Sequence, residues 1–72
     1  MSCMTKIERE RRKAGLTQAE LAKMVGITPL AVTLWETGKT KPSADNLVKL
    51  CKIFNKQLTD IVGYDEEGPH DP

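Results

Sequence analysis

The chain reads as an all-α protein of five short helices, and three observations predict it. Apolar residues recur at helical spacing in several short segments, as in "LVKLCKIF", and no segment alternates apolar and polar residues as a half-buried strand would. Capping residues stand before these segments, and Gly or Asn follows their ends. At 72 residues there is room for one domain and one modest core, because a chain this short buries only about 60% of its unfolded surface.

The first helix is predicted from about Thr5 to Ala14, with Ile7, Arg11 and Ala14 on one side and Gly15 as the left-handed residue that ends it. "TQAE" opens the second: Thr17 accepts from the Glu20 amide while Glu20 reaches back, a capping box. Leu21, Ala22 and Val25 form its inner face, and Gly26 stops it. Thr28 caps the third helix, where Pro29 takes the first helical position and has no amide to lose. Val32 and Trp35 turn inward three residues apart, and the helix stops near Gly38. Ser43 caps a fourth, whose Leu47, Leu50, Cys51 and Phe54 make a continuous stripe closed by a left-handed Asn55. A fifth spans about Leu58 to Val62. Residues 1–4 then form a flexible N-terminus, 5–63 the domain and 64–72 a flexible acidic tail.

Formal charge is only +1, but its distribution is uneven. All 11 Lys and Arg lie between Lys6 and Lys56, whereas Asp65, Glu66, Glu67 and Asp71 follow Tyr64. Residues 1–63 carry 11 basic against 6 acidic groups, net +5, a balance that suits a polyanion partner. Cys51 sits in the apolar stripe and reads as a small buried core residue; it is not expected to pair with Cys3, so the protein is expected to be reduced. "MSCMTKIERERRK" lacks the apolar run of a signal peptide, and no segment approaches the ~20 apolar residues of a membrane span. A soluble, cytoplasmic protein is expected, with no membrane partner.

Catalysis is not expected. His70 is the single histidine and lies in "EEGPHDP"; one His with two distant Cys makes no zinc set. The tail carboxylates form a solvating run, and neither a phosphate loop nor a nucleophile motif is present. No cofactor or metal is therefore expected.

The middle of the chain is more specific. Gln18, Ala22, Gly26, Val32 and Trp35 recur at intervals of 4, 4, 6 and 3. Ala22 is small where two helices must approach, Gly26 can take φ > 0 in a tight turn, and Val32 and Trp35 lock the second helix onto the first. With "GLTQAELAKMVGI", "VTLWETGKTKPS" and "LVKLCKIF", the chain resembles the phage repressor and Cro type of helix-turn-helix domain, the Xre family, from about Ile7 to Val62. The resemblance implies a compact five-helix, lambda-repressor-like domain that binds double-stranded DNA as a homodimer.

Carried over by position, the resemblance places Gln18, Thr28, Pro29, Leu30, Thr33 and Leu34 towards the groove. Arg11, Thr17, Thr37, Lys39, Lys41 and Ser43 are placed along the phosphates, with Arg11 paired to Glu36. The chain departs from the pattern where bases are read: only two hydroxyls and Gln18 can hydrogen-bond there, so arginine-to-guanine recognition is not offered. Leu30 and Leu34, one turn apart, form an apolar strip suited to thymine methyl groups, or to a regulatory protein partner. The dimer contact is expected from Leu58, Ile61, Val62 and Tyr64. The implied function is a stand-alone repressor or Cro-like switch of a bacterium or phage, acting on a palindromic operator. A restriction-modification controller, an antitoxin, or an interaction module without DNA binding are the alternatives on the same scaffold.

Overall fold

The computed structural model describes residues 4–64, so Cys3, His70 and the acidic residues from Asp65 onward lie outside the described residues. Four α-helices follow one another: α1 (Lys6–Lys13), α2 (Gln18–Val25), α3 (Pro29–Glu36) and α4 (Ala44–Phe54). Each begins on a hydroxyl cap in extended conformation. Thr5, Thr17, Thr28 and Ser43 accept from the amides of Glu8, Glu20, Ala31 and Asn46 respectively, which satisfies one orphan donor at each helix start. The Thr17 and Glu20 groups form the complete reciprocal capping box. At the other ends, Gly26 (φ 92°) stops α2 and Asn55 (φ 55°) stops α4, both in the left-handed region.

The expected fifth helix, about Leu58 to Val62, is instead a three-residue 3₁₀ turn, Leu58–Asp60. One turn cannot repay the cost of nucleating an α-helix unless tertiary contacts support it. Here those contacts draw the chain away from helical geometry. Gly63, at φ 95°, redirects it so that its carbonyl accepts from the Lys6 amide at 2.9 Å, and Tyr64 pairs with Thr5 in an isolated antiparallel bridge. The domain's first and last described segments are thereby tied together.

Ile7, Leu21, Ala22, Val25, Val32, Trp35, Leu50 and Ile61 form the buried core, with Leu16, Ile27, Leu47, Cys51, Ile53 and Phe54 packed partly against it. Three expectations are corrected by this arrangement. Cys51 is only half-buried, packed against the core rather than within it. Ala14 is exposed, because it is the cap that ends α1 rather than part of its inner side. Ile61, expected at a dimer contact, is 0% exposed and belongs to the monomer's own core. No helix among the described residues is long and apolar enough to cross a membrane.

Candidate nucleic-acid interface

Helices α2 and α3 pack closely through Ala22, Val25, Val32 and Trp35, and the turn between them is tightened at Gly26. The amides of Gly26 and Ile27 both return to the Ala22 carbonyl, at 2.8 and 2.9 Å. A residue with a Cβ would be strained at this φ, so the angle between the two helices depends on glycine there. Pro29 then starts α3 on its outward side, next to Leu30, which at 65% is the most exposed of the large apolar side chains among the described residues. Leu34 is half-buried, so the strip expected from Leu30 and Leu34 is uneven and Leu30 is its projecting end.

Behind this surface lies a polar network. The Arg11 guanidinium grips the Glu36 carboxylate with two bonds, Nε to Oε2 at 2.6 Å and Nη2 to Oε1 at 3.0 Å, and its Nη1 donates to the Leu16 carbonyl at 2.8 Å. Their side chains are 12% and 3% exposed, so the pair is largely withdrawn from solvent and joins α1 to the end of α3. The hydrogen bond to Glu36 raises the Arg11 pKa above its ordinary value; desolvation opposes this and the nearby carboxylates assist it. Arg11 therefore stays charged throughout the accessible pH range. Three of its five N–H groups are spent within the domain, which leaves two for an outside anion.

The network extends further than the expected pair. Gln18, the first residue of α2, donates from Nε2 to Glu36 Oε1 at 2.9 Å, and its Oε1 accepts from the Thr33 hydroxyl at 2.8 Å. Thr33, expected to face bases, is half-buried and turns its hydroxyl inward, with the Pro29 carbonyl as a second acceptor at 3.2 Å. Sequence reasoning missed this link. Its signal was the three-residue spacing of Thr33 and Glu36, which sets both on one side of α3.

The connection from α3 to α4 begins beside the same network. Thr37 caps the end of α3 and donates to the Thr33 carbonyl, and the amides of Lys39 and Thr40 return to the Leu34 carbonyl. Thr37, Lys39, Lys41 and Ser43 are exposed, as is Thr17 at the start of α2. Gly38 (φ 82°) lies directly under the Tyr64 hydroxyl, where a Cβ would overlap it. Leu58, Val62 and Tyr64 are each about half-exposed at the carboxy-terminal side. Among the described residues, no three His, Cys, Asp or Glu side chains gather as a metal set.

Comparison with known proteins places this arrangement in a family. The helix-turn-helix family model matches residues 7–61. An uncharacterized HTH-type transcriptional regulator of Archaeoglobus fulgidus is 40% identical over 63 residues, covering 88% of this chain and 89% of that one. The antitoxin PezA of Streptococcus pneumoniae is 36% identical over 78% of this chain, a stretch that makes up 35% of PezA. A crystal structure of the P22 c2 repressor in complex with a synthetic operator superposes with a TM-score of 0.70 at 36% identity, covering 74% of this chain and 80% of that one. The chain belongs to the helix-turn-helix family, in its Xre type, and is a DNA-binding transcriptional regulator.

Proposed function

We propose that the chain is a cytoplasmic repressor or Cro-like switch that binds a palindromic operator as a homodimer, with α3 in the major groove. The observation that carries this reading is the two-sided build of α3. Its inner side is locked by Val32, Trp35 and Glu36, while Leu30 projects freely from its amino-terminal end. In this docking mode the amino-terminal residues of the second motif helix meet base edges. Thr28, Pro29 and Leu30 hold those positions, with Leu34 in a lesser part. Arg11, Thr17, Thr37, Lys39, Lys41 and Ser43 follow the phosphates, and Gln18 lies between the two groups. The fact that the P22 c2 repressor was solved on an operator supports the choice of ligand. Leu58, Val62 and Tyr64 supply an exposed apolar surface for the second copy.

Selection from a pool of random duplexes tests this directly. An inverted repeat with half-sites about 34 Å apart, one DNA turn, is expected. Enrichment of no sequence, together with specific capture of a protein partner, would favour an antitoxin-like or interaction role; the likeness to PezA makes that the second reading. Reading by Leu30 is tested on the selected site. Replacing a contacted thymine by uracil removes one methyl and should cost ~1 kcal/mol of affinity, and Leu30→Ala should abolish that sensitivity. Full sensitivity in Leu30→Ala would show that another residue reads the methyl.

A further inference from the structure

Thr33 stands among the positions expected to face bases, yet its hydroxyl is committed to the interior network. We propose that Thr33 is a positioning residue: it fixes the side-chain amide of Gln18, so that Gln18 meets DNA as a hydrogen-bond donor and Thr33 reads no base. The inference rests on the DNA-binding reading above and assigns a specific task to one pair within it.

The donor and acceptor inventory carries the argument. An ionised Glu36 can only accept, so it draws the Gln18 Nε2 towards itself and turns Oε1 the other way. The terminal torsion of a glutamine is broad and roughly two-fold, and a single hydrogen bond leaves it loose. Thr33 closes the other end, at 2.8 Å from Oε1. Held from α3 at both ends, the amide keeps one Nε2–H without a partner among the described residues. Gln18 is also the first residue of α2, where the helix dipole and free amides favour a negative ligand, so an outward donor has the matching polarity. Recognition of adenine by an amide needs its donor and acceptor presented side by side. With Oε1 engaged by Thr33, that pair is not presented, and Gln18 confers no selectivity for adenine.

The test is a double-variant cycle on the duplex selected from the random pool. Thr33→Val keeps the shape and removes the hydroxyl; it should weaken binding about fivefold, the equivalent of one hydrogen bond worth roughly 1 kcal/mol. Thr33→Ser, which retains the hydroxyl, should bind as the parent does. In a Gln18→Ala background Thr33→Val should have no further effect, because the group it positions is gone. Base preference should be the same as the parent's at every operator position for Gln18→Ala, with or without Thr33→Val, because neither side chain reads a base. In the free protein, the side-chain amide protons of Gln18 should shift in the NMR spectrum of Thr33→Val. Additive losses in the cycle, a changed preference at one base, or an unaltered Gln18 amide signal would each overturn the proposal. A parent protein that binds no duplex at all would instead remove the DNA-binding reading, and this inference with it.

Discussion

The domain is closed by two clasps of opposite material. Beside α1 the clasp is polar: Arg11, Glu36, Gln18 and Thr33 form a chain of hydrogen bonds between three helices. At the carboxy-terminal side the buried side chain is apolar, Ile61 being completely enclosed, and the polar bonds there end on the backbone carbonyls of Thr59, Asp60 and Gly63 rather than on side chains. Apolar burial has no preferred direction, whereas hydrogen bonds do. The polar clasp accordingly lies beside the side chains proposed to face DNA. The apolar one lies where the chain has only to be held down.

Breaking the polar clasp should have the largest effect. Arg11→Ala leaves the Glu36 carboxylate, 3% exposed, without its cation and should cost about 3–5 kcal/mol in chemical unfolding. Replacing both partners by apolar residues, Arg11→Met with Glu36→Leu, should restore most of that stability without restoring DNA affinity. Full recovery of affinity would show that the pair serves folding alone. The apolar clasp comes next. Ile61→Ala should cost about 3 kcal/mol at every protein concentration, because it empties a core position of the monomer. Val62→Ala should leave monomer stability within about 0.5 kcal/mol and loosen the dimer in sedimentation. An equal response of the two variants to dilution would contradict the division between core and interface. The smallest effects belong to neither clasp. Lys39→Ala and Lys41→Ala should leave stability unchanged and flatten the plot of log affinity against log salt by about one unit each. An unchanged slope in both would mean that these lysines meet no phosphate.

The two clasps also differed in how far the sequence announced them. Thr17, Thr28, Ser43, Gly26 and Asn55 act on amides and carbonyls within a few residues of themselves, so their spacing was enough to place α2, α3 and α4. The segment after Asn55 was mis-sized because its conformation depends on Thr5 and Lys6, more than fifty residues away. The burial of Ile61 followed from that same distant pairing, and no local pattern separated it from its exposed neighbours Leu58 and Val62. In the candidate site, the pairing of Arg11 with Glu36 was legible through family resemblance. The link from Gln18 to Thr33 had only the spacing of Thr33 and Glu36 as a signal, and that spacing sets a side of α3 without naming the partner on α2.

The pairing of Thr5 with Tyr64 has a consequence for how such a body can be carried. Thr5 and Tyr64, near the two ends of the described domain, lie side by side at one edge, like the two contacts of a plug. A linker at either end need not span the fold, and a domain with adjacent ends tolerates splicing into a longer chain without being pulled open. The same edge lies against Gly38 and carries Tyr64 of the proposed dimer surface, so whatever module is joined there enters beside both and is placed to sense or disturb pairing.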